Sequence, residues 1–299
     1  QDQRDYIPWY TGPLIADNAN NIGKGLVNIQ PYLFFRDTPG AFNKAWGQQS
    51  IGDTFTFQPY VELQGGITTW FDITAEAQAF YKDKSGTKSF EVGDTSVKLG
   101  FQLLKEKDFT AIPSIRVTVI ESFPTGKYKN LNPNKLGIDA SGSGSYETIA
   151  NLLIGKVVYW FKAHPIRWRI NAGYTHSVKT RIKNLNAYGG GTNTNGKVSP
   201  GGTFNGILAF EFSFTQRWVL ASDFVHVRSA KTTFKGTAGT NPDGTAASST
   251  NPSSHQTSIA PALEYNFSAN LGVLAGAHFS IHGNATSFKA GIISAEYTF

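Results

Sequence analysis

Charged side chains that alternate with apolar ones are the residues of this sequence best suited to chemistry. Alternate residues of a β-strand share one face, so in extended segments these charges would project together, away from the apolar side. A row of carboxylates and cations can set a transverse field that selects a polar or weakly anionic solute. The same charges could instead compensate one another inside a narrow enclosure, and both interpretations stay open. The twelve candidates, which we predict to line a pore, are Arg36, Glu62, Asp72, Glu76, Lys98, Arg116, Lys156, Arg169, Glu211, Asp223, Glu264 and Glu296.

Hydroxyl and imidazole groups offer a second chemistry, nucleophilic catalysis. An activated serine needs a direct hydrogen bond to its histidine. The candidate neighbours are His176 with Ser177, His278 with Ser280, and His226 with Ser222. In the last two pairs the partners share a strand face but are separated by about 7 Å or more along it. We therefore predict that the protein is not an enzyme and has no catalytic residue, metal or cofactor.

The elements that position the charges are predicted from an alternation of apolar and polar residues, which is typical of strands with two different faces. One example contains Phe204, Leu208, Phe210, Phe212 and Phe214 on one face, with Asn205, Glu211 and Ser213 on the other. Four phenylalanines facing water would cause aggregation, but they are suited to lipid. Aromatic residues make up 13% of the chain and charged residues 16%. No apolar run approaches the ~18 residues of a membrane helix.

The alternation predicts an all-β fold, a transmembrane antiparallel β-barrel of about 12 strands with short periplasmic turns and long extracellular loops. The predicted strands are 26–37, 53–66, 69–82, 93–105, 110–123, 147–162, 166–181, 203–215, 217–229, 256–267, 270–282 and 285–299. Long polar loops are expected at 38–52, 124–146, 182–202 and 230–255, with a shorter loop at 83–92 and a short connection at Gly283-Asn284.

Aromatic residues cluster beside the predicted short turns. They include Trp70, Trp160, Trp168 and Trp218, together with Phe71, Phe161, Phe214 and Phe267. Amphipathic rings favour the headgroup level of a bilayer, so we predict an aromatic girdle at one membrane interface. The chain ends on Phe299 with Tyr297 two residues before it, an ending typical of outer-membrane barrels. The predicted localisation is the bacterial outer membrane of a Gram-negative cell.

The charge balance indicates anionic partners. The formal net charge is +6, and the chain has no cysteine, which excludes disulfides and thiolate metal sites. Basic residues in the predicted loops would face lipopolysaccharide phosphates. We predict outer-membrane lipid, lipopolysaccharide and a small-molecule solute as partners. Nucleic acid is not expected, because its recognition would require aromatic and basic residues interleaved on a soluble surface.

The first 24 residues lack alternation. We divide the chain into an N-terminal periplasmic or lumen-plugging segment, 1–24, and a transmembrane barrel, 25–299. The aromatic, proline-broken run around Trp9 and Tyr10 could bury these two rings against the barrel wall as a plug. It could equally lie at the periplasmic mouth, and the sequence leaves both options open.

Four prolines fall inside predicted strands, where proline removes a hydrogen bond of the ladder. They are Pro31, Pro59, Pro113 and Pro261. They could mark bulges or errors in the predicted strands.

Short motifs between residues 90 and 230 resemble a known family. The motifs are Gly93-Asp94-Thr95-Ser96-Val97-Lys98-Leu99-Gly100, the run Ile115-Arg116-Val117-Thr118-Val119 leading into Phe123-Pro124-Thr125-Gly126, and Asn171-Ala172-Gly173-Tyr174. The family to which they are similar is the outer-membrane transporter family linked to meta-pathway phenol degradation. This resemblance implies a barrel and the uptake of small compounds, aromatic ones among them.

Three functions remain open at this point. The first is a pore for passive uptake of small solutes, with Tyr32 and Tyr60 along the path. The second is a transporter of hydrophobic or aromatic compounds, with an N-terminal plug and Phe34, Ile120 and Leu274 as a binding wall. The third is a closed barrel that acts as a surface adhesin or anchor.

Overall fold

The computed structural model describes residues 5–42 and 48–299. The described residues form sixteen strands and one 3-10 turn at Pro133–Lys135. The strands are β1 (Val27–Phe42), β2 (Gln48–Gly66), β3 (Phe71–Lys84), β4 (Thr87–Val92), β5 (Thr95–Leu104), β6 (Ser114–Phe123), β7 (Glu147–Val158), β8 (Ile166–Ser177), β9 (Thr180–Lys183), β10 (Asn195–Ser199), β11 (Thr203–Ser213), β12 (Trp218–Ser229), β13 (Thr233–Thr237), β14 (Ser254–Asn266), β15 (Leu271–Gly283) and β16 (Thr286–Thr298). No helix of the described residues has the length and apolarity needed to span a bilayer.

Twelve strands close into an antiparallel barrel, which confirms the predicted fold. Their order around the barrel is β1, β2, β3, β5, β6, β7, β8, β11, β12, β14, β15 and β16. The barrel closes where β16 pairs with β1, with Asn28 opposite Thr298. The largest difference from prediction is at the first hairpin, where β1 and β2 extend into the predicted loop 38–52; residues 43–47 of that loop lie outside the described residues.

The two faces of the barrel have opposite character, as the alternation predicts. On β11, the outward Phe204 and Leu208 are 47% and 45% exposed, whereas the inward Ala209 and Glu211 are fully buried. Exposed aromatic and aliphatic side chains at every second position suit contact with lipid. The interior consequently collects the polar and charged side chains.

The predicted aromatic girdle lies around one end of the barrel. Trp70, Trp160 and Trp218 are exposed there, and Trp168 packs against Trp160 with ring centroids 6.3 Å apart. We call this the short-turn end, because the connections there are short. The opposite end carries the long connections, and we call it the long-loop end.

Three of the four prolines lie within barrel strands and interrupt pairing on one side only. Pro31 pairs with Val61 of β2, but the β1–β16 ladder skips from Ile29 to Tyr32. Similar gaps occur at Pro59 toward β3 and at Pro261 toward β15. Because proline has no N–H to donate, each gap marks the ladder hydrogen bond that the proline cannot form on that side. Pro113 precedes β6, so the strand prediction of 110–123 started too early.

The long-loop end contains strands that the sequence analysis missed. β4 extends the β3 ladder, and β9, β10 and β13 form a separate three-stranded sheet. These strands have four to six residues, which is too short to show alternation. They lie within or beside the predicted loops 83–92, 182–202 and 230–255.

The connection from residue 124 to 146 is tied to the barrel rim through two carboxylates. Asp94 accepts hydrogen bonds from the backbone N–H groups of Gly126 and Ser143, both at 2.8 Å. Asp139 accepts from the Asn132 N–H at 2.9 Å and the Lys127 ammonium at 2.7 Å. Burial acts to raise the pKa of Asp139, but these donors hold it below its ordinary value. The motif residues Asp94 and Gly126 therefore have a structural role.

Candidate functional site

The N-terminal segment, residues 5–26, enters the barrel and returns to the end from which it started. Its beginning lies at the short-turn end, where the N–H of Asp5 donates to the Lys162 carbonyl at 3.4 Å. Its last residues lie at the same end, where the N–H of Gly25 donates to the Gly66 carbonyl at 2.8 Å. Between them, the segment contacts inward side chains of opposite walls.

Trp9 and Tyr10 lie at the short-turn mouth. The Trp9 N–H donates to the Gln216 carbonyl at 3.1 Å, and the Tyr10 hydroxyl donates to the Pro165 carbonyl at 3.3 Å. The Arg167 guanidinium lies 4.2 Å from the centre of the Tyr10 ring. Burial raises the pKa of the Tyr10 hydroxyl against the opposing effect of Arg167, so this hydroxyl remains a donor. The residues that reach farther inside follow Tyr10 in the chain.

Two buried carboxylates hold the inner part of the segment by its backbone. Glu264 accepts from the N–H groups of Thr11 at 3.0 Å and Gly12 at 3.3 Å. Asp223 accepts from the N–H groups of Ile15 at 3.2 Å and Ala16 at 2.9 Å. Both carboxylates thus fix the position of the segment rather than face an open lumen.

Donors on three other strands, β5, β6 and β8, hold the segment's carbonyl groups. Arg169 donates to the Ala16 carbonyl at 3.2 Å, and Arg116 donates to the Asn18 carbonyl at 3.0 Å. Gln102 binds both the Ala19 carbonyl and the Asn21 N–H, at 2.9 and 2.7 Å. The segment is therefore bound from several strands at once.

Apolar packing adds to these hydrogen bonds. Leu14 is 4% exposed and packs in a cluster of buried residues on the inner wall. The other members of the cluster are Ala221, Ala260, Ala262, Leu274 and Ile292. Small wall residues at this position make room for the leucine side chain.

Lys98 gathers three carboxylates at the centre of the barrel. Its ammonium lies 3.0 Å from Glu76, 3.2 Å from Asp17 and 3.8 Å from Glu62. The Tyr60 hydroxyl donates to Glu62 at 2.7 Å. Asp17 belongs to the N-terminal segment, and the sequence analysis did not single it out because it lies outside any alternating strand.

Two further ion pairs link strands of the wall, one between the neighbours β8 and β11 and one from β6 across β5 to β3. The Arg169 guanidinium donates two hydrogen bonds to Glu211, at 2.8 and 3.0 Å. Arg116 donates to Asp72 at 2.5 Å. A Cβ atom at Gly100 would lie 2.2 Å from Arg116 and 2.4 Å from Asp72, so glycine is needed where this pair crosses β5. All four charged side chains are almost fully buried.

The last two inward candidates have neutral partners. Arg36 lies over the Phe288 ring, with its guanidinium carbon 4.8 Å from the ring centre. Glu296 accepts a hydrogen bond from the Asn28 amide at 2.6 Å. These contacts place both residues on the inner wall.

Lys156 does not line the lumen, which corrects the prediction. Its neighbours on β7, Gly155 and Val157, are buried toward the interior, so Lys156 lies on the outward face. Its ammonium donates to the Lys107 carbonyl at 2.8 Å, beside the short turn. The run Leu152-Leu153-Ile154 is apolar on both faces, so alternation could not assign the faces of this strand. Eleven candidates thus face inward, seven carboxylates and four cations.

Two cavities lie on opposite sides of the segment. The short-turn cavity has a volume of about 200 Å³ and is mainly polar. The loop-side cavity has a volume of about 460 Å³ and has a more apolar wall, formed in part by Leu14, Phe34, Ile120, Leu153 and Ile207. The residues that border both cavities are Pro13, Ala16, Asp17, Tyr32, Glu62 and Lys98. These shared residues form the narrow zone between the two cavities.

The candidate serine–histidine neighbours do not form the pairs considered in the sequence. His278 instead hydrogen-bonds Ser258 across β14 and β15, with Nε2 and Oγ 2.8 Å apart. Ser280 contacts the backbone of Phe288, and His226 contacts Thr257 at 3.0 Å. The cross-strand partner of His278 could have been found only once the strand register was known.

Comparison with known proteins identifies the fold. No family model matches the sequence, and no curated protein matches it. The COG4313 outer membrane channel from Pseudomonas putida F1 has a TM-score of 0.71 and 11% identity, and the match covers 96% of this chain and 100% of that chain. This chain has the fold of that barrel.

Two autotransporter domains are more distant. The transport unit of AIDA-I from Escherichia coli has a TM-score of 0.49 and 10% identity, covering 95% of this chain and 94% of that chain. The beta domain of the Bordetella autotransporter Brka has a TM-score of 0.48 and 9% identity, covering 92% and 100%. At these scores they add no argument about this chain.

Proposed function

We propose that this protein is an outer-membrane channel of a Gram-negative bacterium that admits small solutes by passive flow. The observation that carries the proposal is the pair of cavities inside a closed barrel. They are separated by residues 13–17 of the segment and by Lys98 with its neighbour Glu62. Solutes would pass this narrow zone, and the N-terminal segment would restrict it. The short-turn end would face the periplasm and the long-loop end the outside, the usual arrangement for such barrels.

The lumen charges favour cations over anions. Among the eleven inward candidates, seven side chains are acidic and four are basic, and Asp17 of the segment adds a further acidic side chain beside Lys98. An excess of one sign along a narrow pore favours ions of the opposite sign. The proposed channel therefore prefers cationic or neutral solutes, rather than the weakly anionic ones considered from the sequence.

The first test measures ion selectivity. In planar bilayers with a salt gradient, the open channel should pass current and prefer K⁺ over Cl⁻. Absence of any current from correctly folded, inserted protein would contradict the channel proposal.

Substitution Lys98→Gln should strengthen the cation preference, because it removes the cation shared by Asp17, Glu62 and Glu76. We expect the K⁺/Cl⁻ permeability ratio to rise about threefold or more, measured from the reversal potential. Lys156→Gln is the matched control, because Lys156 lies on the outward face. Equal shifts in the two variants, or none in Lys98→Gln, would argue against a pore past Lys98.

A second candidate function is transport of hydrophobic or aromatic compounds. The apolar wall of the loop-side cavity favours it, because burial of apolar ligand surface in such a cavity is favourable. The resemblance to the phenol-linked transporter family supports the same class of solute. Ile120 and Phe34, expected from the sequence as part of a binding wall, both border this cavity.

Substitution Ile120→Asn tests the second candidate. It should lower the uptake of a phenol into proteoliposomes severalfold, while K⁺ conductance through the polar zone is retained. Ile120→Val keeps the apolar surface and is the control. Equal phenol uptake by both variants and the wild type would remove the loop-side cavity from the transport path.

A further inference from the structure

Three of the six histidines lie together on the outer surface of the barrel. They belong to neighbouring strands: His226 to β12, His255 to β14 and His282 to β15. Ring centroids are 6.4 Å apart for His226 and His255, and 5.5 Å apart for His255 and His282. Arg228 lies directly opposite His255 in the β12–β14 ladder. We call these four residues the histidine–arginine cluster.

The cluster lies directly above an apolar tier of the wall. Phe224, Ile259 and Phe279 are paired across β12, β14 and β15, and the two phenylalanines are 44% and 37% exposed. The next outward tier along the same strands contains His226 and His282. The surface therefore changes from aromatic to basic within one step of the ladder.

The height of the cluster corresponds to a lipid headgroup. Trp218 marks the aromatic girdle at the short-turn end of β12, and Arg228 lies ten residues farther along the strand. With about 3.3 Å per residue and a strand tilt of about 40°, this separation is about 25 Å along the barrel axis, the height of the apolar band of such barrels. Arg228 would thus lie at the opposite interface.

Hydrogen bonds from the neighbouring turn hold the cluster in place. The His255 N–H donates to the Asn284 side chain at 2.7 Å, and the Asn284 N–H donates to the His255 carbonyl at 3.0 Å. The Thr257 hydroxyl lies 3.0 Å from Nδ1 of His226. These contacts orient His255 and His226.

A small surface cavity lies beside the cluster. It has a volume of about 240 Å³, and its lining residues are His226, Arg228, Ser253, Ser254, His255 and Asn284. All six are neutral or basic. Imidazole, guanidinium, hydroxyl and amide groups are donors to phosphate oxygens.

We propose that the histidine–arginine cluster binds the phosphate groups of lipids in the outer leaflet, in particular phosphorylated glycolipids. The favoured partner is a lipid because the cluster adjoins the apolar tier, so that acyl chains would cover Phe224 and Phe279 while the headgroup phosphate meets Arg228. The inference rests on the membrane orientation in the proposed function, but not on passage of a solute.

The test compares lipid A carrying both phosphates with dephosphorylated lipid A of the same acyl chains. Retention of each lipid by the refolded, detergent-solubilised protein is measured by native mass spectrometry. The wild type should retain the phosphorylated form more strongly. The triple variant H226Q/H255Q/H282Q and the single variant Arg228→Gln should each lose this preference about tenfold, the effect of one charge-assisted hydrogen bond.

His176→Gln is the matched control, because His176 is exposed on the outward face near the long-loop end of β8. Equal retention of the two lipids, an unchanged preference in the cluster variants, or an equal loss in His176→Gln would overturn the proposal. Retention of inorganic phosphate as strong as that of lipid A in the same assay would overturn the assignment to a lipid. Conductance of the same variants should equal that of the wild type, so a failed channel proposal is detected separately.

Discussion

Deletion of residues 1–20 is expected to raise the single-channel conductance at least about twofold. Residues 13–17 separate the two cavities of the lumen, and their removal joins these cavities into one path. The barrel should survive, because its first strand begins at Val27 and the described residues of the deleted range, 5–20, take part in no barrel pairing. The measurement is the current through single refolded channels in planar bilayers.

Two point variants test the same idea without shortening the chain. Asp223→Asn and Glu264→Gln each replace a carboxylate that accepts two N–H groups of the segment. Weakening of these hydrogen bonds, because a carboxamide has only one accepting oxygen, should give intermediate conductance, or brief openings to the level of the deletion variant. If folded deletion protein has the conductance of the wild type, the segment does not restrict flow.

Substitution Glu211→Gln is expected to lower the free energy of unfolding by about 3–5 kcal/mol, the effect of removing one partner of a buried ion pair. Glu211 is fully buried and holds Arg169 through two hydrogen bonds. The variant leaves the guanidinium buried with a neutral amide as partner. Urea titration of the protein in lipid vesicles, followed by tryptophan fluorescence, measures the change.

An exposed ion pair supplies the control for this experiment. Lys289 lies 3.2 Å from Asp37 on the outward face, with a side chain that is 72% exposed. Lys289→Gln should change the free energy of unfolding by about 1 kcal/mol or less. Equal effects of the two substitutions would mean that the Arg169–Glu211 pair contributes no more than a surface pair.

The barrel could be predicted from the sequence because lipid and lumen impose opposite requirements on neighbouring residues. On β11, Phe204 and Glu211 differ by an odd number of positions, and that parity alone assigns them to different faces. The same argument failed at Lys156, because three successive apolar residues precede it on β7 and do not show which positions face lipid. It also missed β9, β10 and β13, since strands of four or five residues outside the bilayer are not under that constraint.

The arrangement inside the lumen could be predicted only in part. Alternation indicates that Asp223 and Glu264 point inward, but not that they bind backbone N–H groups of residues more than 200 positions away. Such contacts depend on the path of a segment without regular structure. For the same reason the sequence predicted Trp9 and Tyr10 as the plug residues, whereas Leu14 and Asp17 make the contacts farther inside the barrel.

The two ends of the N-terminal segment share one mouth of the barrel, with Asp5 beside Lys162 and Gly25 beside Gly66. The segment is therefore a folded-back excursion rather than a thread that passes from one side to the other. Asp5 and Gly25 would stay at the short-turn mouth while the middle of the segment left the lumen, and the seam between β1 and β16 would stay closed. Gating by this movement would be reversible because it leaves the strand pairing of the barrel intact. Its energy barrier would come from the contacts that Asp223 and Glu264 make with the segment rather than from the barrel wall.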